Sequence, residues 1–298
     1  ALSSRRCARI LRGCGLDVRT MRVVFIGTGE IGVPSLEQLA TSRQHVLAGV
    51  VTQPDRPAGR GLKPQASPIK LAAISHHIQT FQPEKINSPT AIAQLRYLRA
   101  DVFVVAAFGQ ILSRDVLGIP TRACLNIHAS LLPRHRGAAP IQAAIRSADR
   151  HSGLTIMWMD EGLDTGDILL QKKTVIRLDD NAQTLHDRIA RMAPDALDEA
   201  LDLLERRRAI RIPQDPTKAT YAKKLKKEDG RILWNQTQRG VDHHIRAMNP
   251  WPGAYTFLPS ADSPRMLKIF STKLSVRANG KPGEVLSMRG LSAEGRNV

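Results

Sequence analysis

Two polar side chains stand two residues apart in an apolar stretch, and they are the first candidates for chemistry. The stretch contains Cys124, Leu125 and Ile127, and it carries Asn126 and His128. Residues two apart in a β-strand lie on the same face, so the amide and the imidazole are predicted to project side by side. An amide donates to a developing oxyanion and an imidazole carries a proton, which suits attack on a carbonyl group. The alternative is that hydrogen bonds at the strand end simply satisfy both side chains.

The residues that follow favour a site at this strand end. Residues 132–137, Leu-Pro-Arg-His-Arg-Gly, form a basic loop in which proline cannot continue the strand. Further along, Asp160, Glu161, Asp164 and Asp167 surround two glycines. This run is either an acidic hairpin turn or a calcium loop. Its spacing and the missing terminal Glu argue against calcium.

Composition narrows the class of protein. The 298 residues include 44 Lys and Arg against 27 Asp and Glu, giving a net charge of +17. So large an excess favours a polyanionic partner, most often nucleic acid, over a merely solvated basic surface. The aromatic fraction of 4% implies no broad platform for base stacking. The sequence contains no apolar run of transmembrane length. Its three cysteines show neither metal-ligand nor disulfide spacing.

Strand patterns alternate with helix patterns through the first two thirds of the chain, so a largely parallel, doubly wound α/β sheet is predicted. The predicted strands are residues 22–26, 46–51, 102–106, 154–159 and 168–176. The predicted helices are residues 34–41, 69–76, 91–98 and 185–204. A long loop with four prolines and three basic residues separates the second strand from the second helix.

A glycine pattern follows the first strand. Gly27, Gly29 and Gly32 match the spacing of a dinucleotide-binding turn. However, the second strand carries no acid at its tip that would accept a ribose hydroxyl, because Asp55 comes four residues later. A tight turn with close backbone approach is therefore favoured, and no nicotinamide cofactor is expected.

The remainder divides into a leader, a linker and a second domain. Residues 1–20 contain five arginines and one acid, which suits either an organellar transit peptide or a disordered tail ahead of Met21. Residues 21–206 are predicted as the first domain and 207–222 as a linker. Residues 223–298 are predicted as a small β-barrel or sheet. From Arg207 onward there are 18 Lys and Arg against seven Asp and Glu, so the nucleic-acid prediction falls largely on this second domain.

Several ordered blocks carry a resemblance. They include VVFIGTGEIGVPSLEQL, QPDRPAGRG, NIHASLLPRHRGAAPIQ, LDTGDIL, YAKKLKKEDGRILW and NPWPGA. From Met21 to about Leu286 the chain resembles the formyltransferases that use N10-formyl-tetrahydrofolate, and among them the members that act on methionyl-tRNA. The resemblance implies a Rossmann-like catalytic domain followed by an OB-like barrel. It also implies transfer of a formyl group to the α-amino group of methionyl initiator tRNA, in translation initiation.

The resemblance assigns residues to roles. The catalytic triplet falls on Asn126, His128 and Asp164, and no metal is required. Folate contacts fall on two loops, comprising Phe108, Gly109, Gln110, Ile111, Ser130, Leu131, Leu132 and Pro133. Contacts to tRNA fall on basic residues of a loop, of the catalytic domain and of the second domain, comprising Arg56, Arg60, Lys63, Arg136, Lys223, Lys224, Lys226, Lys227 and Arg231.

Two positions and the C-terminal end depart from the family pattern. Phe108 stands where Tyr is usual, and His135 where Trp or Tyr is usual, which concerns substrate fit more than chemistry. The polar ending after Leu286 suggests that the last barrel strands are absent. A monomer in the cytoplasm is expected, or a mitochondrial protein if residues 1–20 are a transit peptide. The alternatives are a formyltransferase for a small amine (a sugar nucleotide or glycinamide ribonucleotide) and a non-catalytic tRNA-binding protein.

Overall fold

The structure is a computed structural model that describes residues 20–58, 63–258, 263–274 and 280–284. The strands of these residues, numbered along the chain, are β1 Arg22–Gly27, β2 Val46–Val51, β3 Arg56–Ala58, β4 Lys63–Gln65, β5 Thr80–Phe81, β6 Val102–Ala106, β7 Ala123–His128, β8 Arg136–Gly137, β9 His151–Trp158, β10 Ile168–Val175, β11 Tyr221–Ala222, β12 Tyr255–Leu258 and β13 Arg265–Lys268. The α-helices are α1 Val33–Thr41, α2 Pro68–Ser75, α3 Pro89–Tyr97, α4 Arg114–Leu117, α5 Pro140–Arg146, α6 Ala182–Glu205 and α7 Gln238–Met248. Short 3-10 helices cover Glu30–Gly32, Pro216–Lys218 and Lys227–Gly230.

Within the described residues, one seven-stranded sheet organises the molecule. Its order is β10-β9-β7-β6-β1-β2-β5. The five strands from β7 to β5 are parallel, and β9 runs antiparallel to both of its neighbours. The chain moves outward from β1 through β2 to β5, and then returns to place β6 on the other side of β1. This is the doubly wound Rossmann-like arrangement that the strand–helix alternation predicts, with a crevice at the carboxyl ends of β1 and β6.

Alternation along the central strands builds a core on each face of the sheet. In β1, Val23 and Phe25 join one buried cluster, whereas Val24 and Ile26 join the other. Helices α1, α5 and α6 cover the first face, and α3 covers the second. Cys124 belongs to the second cluster, so the strand period places Asn126 and His128 on that same side of β7.

Local sequence sets the limits of the helices that cover the sheet. Helix α6 starts at a capping box in which the Asn181 side chain accepts from Thr184 N, and its apolar stripe packs on the first face. The side chains of Ser67 and Ser88 cap α2 and α3 by accepting a backbone N–H of the first turn, and each is followed by a proline. These caps explain why both helices begin earlier than their apolar patterns predict.

The glycine turn after β1 is closely packed, as expected from its sequence. A Cβ on Gly27 would lie 2.8 Å from the backbone oxygen of Ala106. A Cβ on Gly32 would lie 3.1 Å from the Ala106 side chain. The glycines therefore let the first helix approach the sheet closely, which is the structural interpretation of this pattern.

The C-terminal region differs from the sequence pattern, which predicts only strands beyond residue 223. Helix α7 occupies the middle of this region, and Ile245 and Met248 bury its apolar face in the first cluster. The antiparallel pair β12–β13 follows it. An OB-like barrel is not confirmed by the described residues. The predicted leader, apart from Thr20, lies outside them, as do residues 285–298 of the predicted C-terminal ending.

Candidate active site

Asn126 and His128 lie together at the carboxyl end of β7, as the strand alternation predicts. Both are buried, with 9% and 6% of their surfaces exposed. Asp164 reaches them from the loop between β9 and β10. Its Oδ1 accepts a hydrogen bond from Nδ2 of Asn126 at 3.2 Å, and its Oδ2 lies 3.5 Å from Nδ1 of His128. The fold therefore brings the three predicted catalytic side chains into one group.

Each ring nitrogen of His128 faces an acceptor. Nε2 lies 2.9 Å from the backbone oxygen of His135, and because a carbonyl only accepts, this nitrogen carries a hydrogen. Nδ1 faces the Asp164 carboxylate at ion-pair distance. A ring protonated on both nitrogens donates to the carbonyl and faces the carboxylate with its second N–H, so the site can hold an imidazolium.

The Asp164 carboxylate is held from several sides. Its second oxygen accepts from the backbone N–H of Gly137 at 2.8 Å. The backbone at Asp164 is left-handed, with φ of 54°, which an Asp tolerates better than most residues. The preceding acidic run is a turn, because Oδ1 of Asp160 accepts from Gly162 N and from the Thr165 hydroxyl. This turn shapes the loop that presents Asp164.

The loop after β7 is anchored by a threonine from β9. The Thr155 hydroxyl donates to the Ser130 carbonyl at 2.6 Å and accepts from Leu132 N at 3.1 Å. Ser130 and Leu132 are consequently buried, at 1% and 3% exposed. Leu131 and Pro133 are half-buried and present more of their surface. Of the folate contacts predicted in this loop, the latter two are the more accessible.

His135 forms a second histidine–carboxylate pair. Its Nε2 lies 2.7 Å from Oδ2 of Asp149, whose other oxygen binds Arg134 at 2.5 Å. Its backbone is left-handed, with φ of 59°, and its N–H donates to the hydroxyl of Thr220. These contacts of His135 fix the carbonyl that accepts from Nε2 of His128.

The other predicted folate loop lies at the crevice between β1 and β6. Phe108 is buried in the second cluster, and its carbonyl accepts from Thr28 and Gln53. Gln110 fixes the loop, because its side chain accepts from Ile86 N and donates to Glu84 O. The surface of the loop is formed by Ala107, Gly109 and Ile111, the last of which is 75% exposed.

The predicted tRNA loop after β2 forms a short hairpin of β3 and β4. Arg56 lies in β3 and is exposed, and Lys63 lies in β4. Arg60 lies outside the described residues. At the base of the hairpin Asp55 binds Lys70 at 2.7 Å, and this hydrogen bond together with one from Gln82 lowers the pKa of the Asp55 carboxyl.

The predicted tRNA contacts of the second domain lie on the surface, whereas Arg136 of the catalytic domain is buried. Exposed side chains belong to Lys223, Lys224, Lys226, Lys227 and Arg231. Arg136, by contrast, is 5% exposed, and its guanidinium donates to Oε1 of Gln214. A contact of Arg136 with tRNA stays a prediction.

A cleft of about 490 Å³ lies between α5 and the exposed lysines Lys223 and Lys224. Its lining includes Arg146, Lys223, Lys224 and the floor residue Met248. Strand β11, at its edge, pairs with β8, and Gly137 of β8 donates to Asp164. The cleft is therefore only one strand away from the catalytic group.

One residue near the group is excluded as a nucleophile. Burial raises the pKa of the Cys124 thiol to about 12, so it stays protonated at neutral pH. In the part of the chain that the structure describes, no three His, Cys, Asp or Glu side chains are arranged to hold a metal ion. Among the same residues, no helix is both long and apolar enough to cross a membrane.

Two features of the site are absent from the sequence-based prediction. Gln214, in the predicted linker, donates to the backbone oxygens of Asp164 and Gly166. The pairing of His135 with Asp149 is the other. Neither has a local signal in the sequence. Gln214 and Asp164 are 50 residues apart, and His135 and Asp149 are 14 apart, so both contacts depend on the tertiary fold.

Family models match most of the chain. The model described as formyl transferase matches residues 21–201, and that described as formyl transferase, C-terminal domain, matches residues 224–292. The chain is 50% identical over 266 residues to a methionyl-tRNA formyltransferase of Methylacidiphilum infernorum, covering 89% of this chain and 83% of that one. It is 46% identical over 266 residues to a methionyl-tRNA formyltransferase of Geotalea daltonii, covering the same shares.

Solved structures share the fold at lower identity. A sugar N-formyltransferase from Shewanella superposes with a TM-score of 0.65 and 21% identity, covering 86% of this chain and all of that one. HypX from Aquifex aeolicus, in complex with tetrahydrofolic acid, superposes with a TM-score of 0.63 and 18% identity. That match covers 91% of this chain but only 41% of HypX, so this chain corresponds to less than half of that protein.

Proposed function

Since the chain belongs to the formyl transferase family, we propose that it transfers the formyl group of N10-formyl-tetrahydrofolate to the α-amino group of methionyl initiator tRNA. The observation that carries the proposal is the group of Asn126, His128 and Asp164. An amide donor, an imidazole and a carboxylate meet at the carboxyl end of β7, beside the crevice where doubly wound sheets bind ligands.

Asn126 is the proposed oxyanion donor. Its amide nitrogen has two hydrogens, and only one of them is used, toward Asp164. The second can donate to the formyl oxygen as negative charge develops there. Because Asp164 fixes the amide plane, the donor is oriented before the reaction begins.

His128 and Asp164 are proposed to handle charge and the proton. The attacking α-amino group must be neutral, and with a pKa of about 7.7–8.0 it is partly so at neutral pH. As the new C–N bond forms and the bond from the formyl carbon to N10 breaks, one proton must pass from the amine to N10. Asp164, directly or through water, is proposed to relay it. Because both ring nitrogens of His128 already face acceptors, its imidazolium form is proposed to assist Asn126 through its positive charge.

The folate is proposed to lie against the loop at the crevice. This loop offers backbone groups and the exposed Ile111 side chain, which suit a flat ring system that needs hydrogen bonds and an apolar surface. Leu131 and Pro133 would supply the opposite wall. When bound, the folate supplies only the activated formyl group. Phe108, being buried, would shape this site from behind through its backbone.

The tRNA is proposed to bind the basic surface that continues from the site. The cleft with Arg146, Lys223 and Lys224 leads from the catalytic group toward the exposed lysines of the second domain. Three cations against the one carboxylate of Asp229 in this cleft favour a phosphate backbone. The hairpin that carries Arg56 would approach from the other side of the crevice.

We infer the finer organisation from the same observations. Residues 21–206 form the catalytic domain, 207–222 connect it, and 223–298 form the basic domain, for which an OB-like barrel remains the proposed architecture. The pair β12–β13 is consistent with part of such a barrel. A monomer in the cytoplasm is the proposed working form.

A competition between acceptors tests the substrate. Methionyl initiator tRNA, the same tRNA without its amino acid, and an amino-sugar nucleotide are each offered with radiolabelled formyl donor. Label on the charged tRNA alone supports the proposal. Label on the sugar nucleotide in preference to the tRNA would move the chain to a small-amine formyltransferase, and tRNA binding with no label on any acceptor would leave a binding role only.

A further inference from the structure

The segment between the two family matches takes part in the candidate site. Residues 202–223 belong to neither match. Nevertheless Ile212 exchanges two backbone hydrogen bonds with Ile168, at 2.8 and 3.0 Å, beside the loop of Asp164. Further on, β11 pairs with β8, the strand that contains Gly137. The segment therefore touches both loops that surround the catalytic carboxylate.

Gln214 connects these two loops with a single side chain. Its Nε2 donates to the backbone oxygen of Asp164 at 2.9 Å and to that of Gly166 at 2.7 Å. Its Oε1 accepts from Nε and Nη2 of Arg136 at 3.0 and 2.8 Å. Both amide hydrogens and both lone pairs are thus used, so the side chain is fixed in one orientation.

We propose that Gln214 is a positioning residue, which holds the Asp164 carboxylate against His128 by binding the backbone oxygens of Asp164 and Gly166 in its loop. This proposal rests on the proposed function for its catalytic consequence. Residues 161–163 of the loop are exposed, and Asp164 itself has a left-handed backbone. Without Gln214 the carboxylate would keep its contacts with Asn126, Gly137 and His128, but the backbone that carries it would lose this anchor.

The proposed role of Gln214 depends on the two N–H donors of its side chain, and a conservative substitution removes these donors alone. Gln214→Glu keeps the size and an acceptor for Arg136, but it replaces both N–H groups with an oxygen that faces two carbonyls. Gln214→Leu removes donors and acceptor together. Gln94→Glu, an exposed position on α3, makes the same change of charge outside the site and serves as the control.

One backbone amide reports the carboxylate position without any need for activity. The N–H of Gly137 is bonded to Oδ2 of Asp164, so its hydrogen exchange is slow only while the carboxylate is in place. We expect exchange at Gly137 to become about tenfold faster in Gln214→Glu and in Gln214→Leu. Asp164→Ala gives the exchange rate of the unbonded amide.

Kinetics supply the second measurement. Displacing a catalytic group by about 1 Å costs about 10²-fold in rate, so kcat should fall by that order in Gln214→Glu while KM for the tRNA is unchanged. If Gly137 exchange and kcat in this variant match those of Gln94→Glu, the proposal is overturned. If the wild type transfers no formyl group, the proposed function fails, and the exchange rate alone still decides whether Gln214 positions Asp164.

Discussion

The backbone oxygen of His135 lies 2.9 Å from Nε2 of His128, while the His135 side chain lies 2.7 Å from the Asp149 carboxylate. The ring expected to assist catalysis is therefore oriented by a carbonyl whose own residue is anchored by a hydrogen bond to a carboxylate. The side chain at position 135 is buried and is held there by this polar contact.

This arrangement predicts that Asp149 affects turnover from outside the catalytic group. Asp149→Ala leaves the buried His135 ring without its acceptor, so the loop that carries the carbonyl loses a constraint. We expect kcat to fall by about tenfold to 10²-fold, because the His128 ring is no longer held in one orientation. Steady-state kinetics with charged tRNA measure this effect. Asp115→Asn, an exposed carboxylate on α4, is the control, and equal kcat values for the two variants would contradict the prediction.

Asn126→Ala should remove the proposed oxyanion donor. Loss of one such donor costs about 10²–10³-fold in kcat in other enzymes, and a similar loss is expected here. The substitution also frees one oxygen of Asp164, so the folded state must be checked by circular dichroism. Single-turnover transfer from the labelled donor gives the rate. Full activity in a folded variant would remove Asn126 from the mechanism.

The lysines beside the cleft should contribute electrostatically to tRNA affinity. Lys223→Ala and Lys224→Ala are expected to weaken binding and to reduce the slope of log Kobs against log salt by about 0.7–0.9 for each phosphate that the variant no longer neutralises. Filter binding over a range of salt concentrations measures both quantities. Lys85→Ala, another exposed lysine in the catalytic domain, should leave the slope unchanged. A slope that falls equally in all three variants would indicate a general charge effect.

Because two histidines are partly withdrawn from water, we expect the folded state to lose stability in mild acid. Burial is the main cause that lowers the pKa of His45 and His244 below the ordinary value of 6.5. The unfolded chain then binds more protons than the folded one near that pH. Stability is therefore full above about pH 6.5 and decreases as the pH falls further.

The double variant His45→Gln, His244→Gln tests this source of pH dependence. Its free energy of unfolding, from urea titrations at several pH values, should vary less between about pH 7.5 and pH 5 than that of the wild type. An unchanged slope would assign the acid sensitivity to other groups.

Local sequence patterns predict the central part of the fold well. Strand β6 begins and ends as predicted, and β7 places Asn126 and His128 on one face, because period-2 alternation is a local property. Helix α7 has a signal that is easily overlooked, namely the spacing of Val241, Ile245 and Met248 among polar residues. The short strands suggested there do not account for that spacing.

Interactions between distant segments are beyond such patterns. The prediction that Asp164 lies beside His128 comes from the resemblance and not from periodicity. The two residues are 36 positions apart, and a whole strand lies between them. Gln214 and Asp149 are ordinary polar residues in the sequence. Their importance arises only when the tertiary fold brings Gln214 to the loop of Asp164 and Asp149 to the loop of His135.

The most direct test of the proposed mechanism is the transfer of radiolabelled formyl from N10-formyl-tetrahydrofolate to methionyl initiator tRNA by the wild type and by His128→Ala. His76→Ala, at the end of α2, is the matched control. We expect transfer by the wild type and the control, and a loss of at least about 10²-fold in His128→Ala. Undiminished transfer by folded His128→Ala would contradict the role assigned to this imidazole.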